Sequence, residues 1–197
     1  INFELPGCFA MTETGHGSNV RDIETTATYD KERQEFVINT PHPGARKDYI
    51  GNAALHARLG TVFAQLIIDG ESFGVHAFLV PIRDEQGSIM PGITIEDDGF
   101  KLGLNGVDNG RITFNNVRIP RLNMLDKFGE VSETGEYTSP INNPGKRFFQ
   151  MLSTLVMGRV SISAAVNTMA KVGLAITVRY AESRRQFGPA GEAEVPI

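Results

Sequence analysis

Residues 7–19 (GCFAMTETGHGSN) decide how the sequence is interpreted, because their character changes within a few positions. The stretch begins as a short apolar run and turns polar at Thr12, after which Gly15 and Gly17 bracket a histidine. This order predicts a buried strand that ends in a loop with bare backbone amides and hydroxyls, which suits a large polar or anionic ligand. A Gly-x-Gly pair is equally typical of a hairpin turn without a ligand, so the spacing alone leaves both interpretations open.

The composition of the 197 residues is that of a globular protein, with 41% hydrophobic and 21% charged residues. A net charge of -4 gives no reason to expect a nucleic acid or an anionic membrane as partner. The single cysteine, Cys8, excludes an internal disulfide framework, and the four scattered histidines give no metal-ligand spacing, so no metal site is expected. Because the sequence starts at Ile1 and shows no signal peptide, we expect an excised segment of a protein that is not secreted.

Short segments rich in β-branched residues follow the opening loop, with polar turn residues between them. The predicted strands are residues 24–29, 34–40, 61–69, 74–80, 92–96 and 111–119. Strands at such short spacing, without intervening helices, are typical of an antiparallel sandwich or barrel.

The pattern changes after Pro120. Residues 126–144 are polar, with two glycines and two prolines, and predict a linker or an exposed excursion. From residue 145 to about residue 185, apolar side chains recur at spacings of three and four, which indicates a helix. We therefore predict an α+β fold, with an antiparallel β-domain, a sandwich or a barrel, over residues 1–125 and one long helix of an incomplete bundle within residues 145–197.

A transmembrane span is the alternative for this apolar stretch. Arg147, Arg159, Lys171 and Arg179 interrupt it, so that no apolar run reaches the ~18 residues a span requires. We therefore expect no membrane partner, and favour a buried helix whose neighbours are mostly absent from this chain.

Five motifs recur together in one known family. They are residues 8–19 (CFAMTETGHGSN), 24–30 (ETTATYD), 108–110 (DNG), 118–125 (RIPRLNML) and 179–184 (RYAESR). In this combination the chain resembles the acyl-CoA oxidases, which belong to the acyl-CoA dehydrogenase superfamily of flavoproteins. The resemblance covers essentially the whole chain, and it implies the β-barrel middle domain of such an enzyme with the first helix of the C-terminal helical domain.

The resemblance implies FAD as cofactor and an acyl-CoA as substrate. It places residues 9–18 along the flavin, with Phe9, Met11, Thr12 and Gly17 as cofactor contacts, and it places Ser18 near the pantetheine or phosphate part of acyl-CoA. Thr12 would hydrogen-bond the flavin edge through its hydroxyl or its amide, although such a hydroxyl taken alone more often closes a turn. His16 is expected to be a locally bonded loop residue.

Residues 47–52 (KDYIGN) resemble a family motif that carries tryptophan beside the flavin. Tyr49 stands at the tryptophan position, and its ring can still shield the isoalloxazine. Gly51 stands where dehydrogenases carry threonine; the missing side chain would leave space for dioxygen near the flavin N5, which favours an oxidase. Asp48 is unusual for this motif.

Residues 180–188 match the superfamily pattern Tyr-x-x-x-Arg-x-x-Phe-Gly. The resemblance implies that Arg184 contacts the pyrophosphate of FAD in a neighbouring subunit, with Phe187 also at the cofactor, and hence a homodimer or a higher homo-oligomer. A guanidinium suits phosphate because its planar donors bind pairs of oxygens. Solvated charges near a helix C-terminus would give the same local pattern.

The activity that the resemblance implies is oxidation of acyl-CoA to trans-2-enoyl-CoA, with dioxygen as acceptor and hydrogen peroxide as product. The family's catalytic glutamate lies beyond Ile197, so we assign no catalytic residue here and expect this segment alone to be inactive. Glu13 adjoins Thr12 but is expected to be structural. The alternatives are an acyl-CoA dehydrogenase that passes electrons to an electron-transfer flavoprotein, a non-catalytic flavin or acyl-CoA binding module, and a structural β-domain. The implied location is peroxisomal in a eukaryote and cytoplasmic in a bacterium.

Overall fold

Eleven strands and two α-helices lie within residues 4–197, the part of the chain that the computed structural model describes. The strands are β1 (Gly7–Ala10), β2 (Thr26–Asp30), β3 (Glu35–Asn39), β4 (Lys47–Gly51), β5 (Leu59–Ile68), β6 (Glu71–Pro81), β7 (Ile93–Asp97), β8 (Asn109–Phe114), β9 (Val117–Pro120), β10 (Glu130–Val131) and β11 (Tyr137–Thr138). The helices are α1 (Pro144–Met151) and α2 (Val156–Ser183). Residues 1–3 of the predicted β-domain lie outside the described residues.

The largest sheet is built on β5, whose ten residues accommodate two neighbours on one edge. β1 pairs with its first half, at residues 59–62, and β2 pairs with its second half, at residues 65–67. Both of these pairings are parallel, whereas β6 on the opposite edge is antiparallel. β3 and β9 continue the sheet from β2.

The predicted α+β class and the long helix are confirmed, but a closed antiparallel barrel is not what forms. The six-stranded sheet is mixed and open, and a second sheet of order β4-β8-β7 is antiparallel. β1 and β2 can run parallel to β5 because long connections, not hairpin turns, join them to it. Alternation of apolar residues specifies which face of a strand is buried, but not which strand lies beside it.

The predicted strand over residues 111–119 is wrong. The chain turns at Asn115 and Asn116, where Asn116 has a left-handed φ of 52°, and forms β8 and β9 instead. β8 belongs to the smaller sheet and β9 pairs with β3 in the larger one. Asn116 tolerates this conformation because the short polar side chain of asparagine can hydrogen-bond locally in the left-handed region.

The core lies between the two larger sheets and is filled by the inward side chains of their strands. Phe36, Phe78 and Phe114 are completely buried, and the rings of Phe36 and Phe78 have their centroids 5.0 Å apart. Full burial of one such side chain stabilises the fold by roughly 1.5–3 kcal/mol. Residues 126–144 contain the β10–β11 hairpin, in which Val131 joins this core.

The helical prediction from residue 145 is confirmed, with one interruption. A 3-10 turn over Leu152–Leu155 separates α1 from α2, and the chain divides between Gln150 and Met151 into two compact units. In the first unit α1 buries Arg147 and Phe148. The side chains of α2 are exposed or half-buried along its whole length.

We expected the charged residues of the helical stretch to exclude a membrane span, and this expectation is wrong. By length and composition alone, Pro144–Ser183 is apolar enough to cross a bilayer. The core helix of a soluble protein meets the same criterion, because an all-round apolar helix also suits burial among other helices.

Candidate functional site

The 11–18 loop leaves the end of β1 and runs alongside β4 and the residues before it. The amide of Thr14 donates to the carbonyl of Arg46 at 2.9 Å, and the amide of Gly15 donates to the carbonyl of Gly44 at 2.9 Å. The amide of Asp48 returns a bond to the carbonyl of Thr12 at 3.1 Å. These bonds make the loop an extra antiparallel neighbour of β4, which fixes its path.

A buried ion pair lies under this loop. The Lys47 Nζ donates to Glu13 Oε1 at 3.0 Å and to the carbonyl of Met11 at 3.0 Å, and both charged side chains are completely buried. The Glu13 carboxylate also accepts from the amides of Glu24 (2.8 Å) and Thr25 (2.9 Å) and from the Thr25 hydroxyl (2.6 Å).

Burial and pairing act in opposite directions on these two groups. Burial by itself raises the pKa of Glu13, but the Lys47 ammonium and the three hydrogen bonds from Thr25 and Glu24 outweigh it and lower that pKa. Burial lowers the pKa of Lys47 to about 8, against the attraction of Glu13. With both oxygens occupied inside the protein, Glu13 has the surroundings of a structural carboxylate.

The predicted cofactor contacts of the loop differ in exposure. Thr12 is half-buried, and its hydroxyl donates to the carbonyl of Asp48 at 2.7 Å, so the oxygen can only accept a bond from a ligand. Met11 is buried, with 5% of the residue exposed. Phe9 is 44% exposed, with its ring centroid 4.8 Å from that of Phe63.

The second half of the loop is open to solvent. Gly17 and Ser18 are exposed, and a Cβ added at Gly17 would meet no other atom of residues 4–197 within 4 Å.

The His16 Nδ1 lies 3.3 Å from Glu13 Oε2 and 3.8 Å from Glu24 Oε2. Ligand atoms of these three residues lie within 4.8 Å of one another, close enough for a metal ion, a cluster that the sequence spacing did not reveal. Glu13 is already neutralised by Lys47, which weakens the cluster as a cation site.

Tyr49 and Gly51 lie in a distorted part of β4. The pairing of β4 with β8 shifts register between Lys47 and Ile50, and Tyr49 adopts a left-handed φ of 61°. Such an irregularity turns a side chain away from the direction a regular strand would give it. The Tyr49 ring is consequently 60% exposed, and a Cβ added at Gly51 would meet open space within 4 Å among the described residues.

The DNG motif at residues 108–110 shapes the chain that follows Gly51. The Asp108 carboxylate accepts from the amides of Ala54 (2.9 Å), Leu55 (3.1 Å) and His56 (3.3 Å). A Cβ at Gly110 would stand 2.8 Å from the Ala54 nitrogen, so only glycine fits there. Asp108 thus fixes the backbone after Gly51, as Lys47 fixes the 11–18 loop. The sequence analysis did not predict this role for either residue. The sequence signal for both was their place within the recognised motifs.

Arg184 and Phe187 belong to the second unit. Arg184 is exposed at the C-terminus of α2, where its amide donates to the carbonyl of Tyr180 at 2.8 Å. Phe187 is 74% exposed, with a left-handed φ of 64°. The predicted site residues thus fall into two groups, one around β1 and β4 and one at the end of α2.

Fold and site together define a class: a mixed β-domain that presents a polar loop beside an open aromatic ring, followed by a long apolar helix. Residues 8–117 match the family model of the acyl-CoA dehydrogenase middle domain, and the chain therefore belongs to the acyl-CoA dehydrogenase family.

Three similar proteins are acyl-CoA oxidases. The peroxisomal acyl-coenzyme A oxidase 3 of Arabidopsis thaliana is 55% identical over 94% of this chain and 28% of its own length. The crystal structure of acyl-CoA oxidase 3 from Yarrowia lipolytica superimposes with a TM-score of 0.81 at 46% identity, over 98% of this chain and 28% of that one. Acyl-CoA oxidase-2 of Caenorhabditis elegans, bound with FAD, ascaroside-CoA and ATP, superimposes with a TM-score of 0.78 at 36% identity, over 98% and 29%. The chain spans under a third of the length of each relative.

Proposed function

We propose that this chain is part of a FAD-dependent acyl-CoA oxidase, an enzyme that converts acyl-CoA to trans-2-enoyl-CoA in fatty acid β-oxidation. The observation that carries the proposal is the juxtaposition of Thr12 with the distorted end of β4, where the Tyr49 ring and the open space at Gly51 face solvent. The identity of the chain to acyl-CoA oxidases over almost all of its length supports it.

The residues present fit a flavin. Phe9 and Tyr49 offer exposed aromatic surface for a flat ring system, and Thr12 offers an uncharged polar group for its edge. The exposed hydroxyl of Ser18 would serve the pantetheine or phosphate part of acyl-CoA. Gly17 lets a ligand approach the main chain. When bound, FAD supplies a hydride acceptor for the substrate and returns the electrons to dioxygen. Because the Met11 side chain is buried, its contact with the cofactor would be made through the backbone.

Gly51 favours an oxidase over a dehydrogenase. A side chain at this position would enter space that the described residues leave empty, so glycine leaves that space to a molecule as small as dioxygen. An acyl-CoA dehydrogenase that reduces an electron-transfer flavoprotein is the second candidate. This second candidate would hold if other parts of the complete enzyme closed the space at Gly51 to dioxygen.

We place the division of the chain at residues 1–125 for the middle domain, 126–144 for the excursion and 145–197 for the helical domain. Arg184 and Phe187 would serve the FAD of a second subunit, which requires a homodimer or a larger homo-oligomer. No residue of the chain is assigned as catalytic base, since the buried Glu13 is already paired with Lys47. In a eukaryote the location would be the peroxisome, as the name of the plant relative states for that protein; in a bacterium it would be the cytoplasm.

The test uses the full-length protein that contains this chain. We expect it to bind FAD stoichiometrically and to form hydrogen peroxide and enoyl-CoA in equal amounts from an acyl-CoA. Residues 1–197 alone should give no turnover above the buffer blank. Reduction of an electron-transfer flavoprotein without peroxide would favour the dehydrogenase, and a full-length protein that binds acyl-CoA or FAD without turnover would be a binding module. Failure to bind FAD would overturn the proposal.

A further inference from the structure

Lys47 and Asp48 are consecutive residues of β4 whose side chains leave the strand on opposite faces, as strand geometry requires. The Lys47 side chain is completely buried, whereas that of Asp48 is 24% exposed. Both contact the 11–18 loop, and Tyr49 follows them directly in the chain.

On the buried face, Lys47 holds the loop through charge. Its ammonium bonds the Met11 carbonyl and the Glu13 carboxylate, the residues on either side of Thr12. A buried ion pair contributes little net stability compared with apolar residues of similar size, because both charges lose their hydration. What such a pair does provide is a fixed geometry for the loop, since its hydrogen bonds form in one arrangement only.

On the outer face, Asp48 holds the same loop one residue further along. Its carboxylate accepts from the Thr14 hydroxyl at 2.7 Å, and its backbone exchanges two bonds with Thr12. Arg111 lies 3.6 Å from the Asp48 carboxylate and donates to Asp98 at 2.9 Å, which orients Asp48 from the side of β8. The unusual aspartate in this motif thus has a structural partner on each side.

We propose that Lys47 and Asp48 are positioning residues that set the 11–18 loop against the Tyr49 turn before the flavin binds. The inference rests on the proposed function, because the ligand in question is the flavin. Neither residue needs to touch the cofactor: Lys47 acts through Glu13 and Asp48 acts through Thr14. Holding a binding loop in its bound arrangement raises affinity by removing the entropy cost of ordering it.

The main variant is Asp48→Ala in the full-length protein, compared with Asp48→Asn, which keeps an oxygen to accept from Thr14. The matched control is Asp69→Ala, at a surface aspartate that pairs with Lys31 outside the site. We expect Asp48→Ala to weaken FAD binding about tenfold and to alter the absorption spectrum of the bound flavin. Asp48→Asn should restore most of the affinity, and Asp69→Ala should behave as the wild type.

A second readout needs no cofactor. In the FAD-free protein the amide of Thr14, which donates to Arg46, should exchange with solvent about tenfold faster in Asp48→Ala and in Lys47→Met than in the wild type. Lys31→Met is the matched control for the buried lysine. Thr14→Val removes the hydroxyl through which Asp48 acts. It should weaken FAD binding as Asp48→Ala does, without adding to it in the double variant.

The outcomes separate the two proposals. If the wild type binds FAD and Asp48→Ala keeps its affinity, flavin spectrum and Thr14 exchange rate, the positioning role is wrong while the oxidase proposal stands. If the wild type binds no FAD, both proposals fail.

Discussion

The Nε2 atom of His76 lies 2.9 Å from the hydroxyl oxygen of Tyr137, and this contact joins core strand β6 to the β10–β11 hairpin. The Nδ1 atom of the same imidazole lies 3.0 Å from the carbonyl of Gly74, which can only accept. Nδ1 therefore carries the proton in the neutral ring, and Nε2 accepts from the tyrosine hydroxyl. Both contacts suit the uncharged form of His76.

The first prediction is a pH dependence of stability that originates at His76. Burial lowers the pKa of His76 from 6.5 to about 4; the Gly74 carbonyl opposes this shift and Arg147 adds to it. Between pH 6.5 and 4 the unfolded chain binds a proton that the folded chain does not. Stability is therefore full above about pH 6.5 and falls as the pH decreases towards 4, by roughly 3 kcal/mol.

Thermal unfolding of the full-length protein between pH 7.5 and 4.5 measures this. His76→Gln should flatten the pH dependence, whereas His56→Gln, at a histidine that is 65% exposed, should leave it unchanged. If the stability of the wild type and of His76→Gln changed equally with pH, His76 would not be the origin of the pH dependence.

The second prediction concerns the tyrosine. Tyr137→Phe keeps the ring, whose centroid lies 4.7 Å from that of Phe73, but removes the hydroxyl that His76 accepts from. A buried acceptor left without its donor costs about 1–3 kcal/mol, which a urea titration detects. The control is Tyr180→Phe, at a ring that is 59% exposed. If both variants unfold at the wild-type urea concentration, the hydroxyl does not hold the hairpin.

The third prediction concerns the choice of oxidant. Gly51→Thr should fold normally, because a Cβ at this position meets open space among the described residues. In the full-length enzyme the variant should slow reoxidation by dioxygen more than it slows reduction by acyl-CoA, since the new side chain occupies the space near the flavin. Stopped-flow absorbance separates the two rates. Unchanged reoxidation would mean that Gly51 does not control oxygen access.

The fourth prediction separates stability from cofactor binding at Tyr49. A left-handed φ costs a residue other than glycine about 1 kcal/mol or more, so Tyr49→Gly should leave the FAD-free protein as stable as the wild type or slightly more stable. The same variant should bind FAD more weakly, because the exposed ring is lost. Gln34→Gly, at a second left-handed position with a φ of 54°, relieves comparable strain at the β2–β3 turn. It should leave FAD affinity unchanged; a matching loss in both variants would point to a global effect instead.

Local sequence patterns determined most of the secondary structure of this protein. β-branched runs and alternation indicated β2, β3, β5, β6 and β7 within a few residues, and the three-four spacing indicated the helical stretch after residue 144. The opening stretch predicted β1 and the loop that follows it, and the five motifs along the chain indicated the family. These signals lie within a few residues of one another, which is the range over which side chains report strand or helix periodicity.

Tertiary structure alone decided which strands are neighbours and which side chains meet. Sequence periodicity does not reveal that β1 and β2 share one edge of β5 in parallel, because strand order depends on long connections and on burial in the completed core. Glu13 and Lys47 are 34 positions apart, and each charge can be buried only because the fold places the opposite charge beside it. The left-handed turn at Tyr49 likewise follows from the shifted pairing of β4 with β8, since a tyrosine has no preference of its own for that conformation.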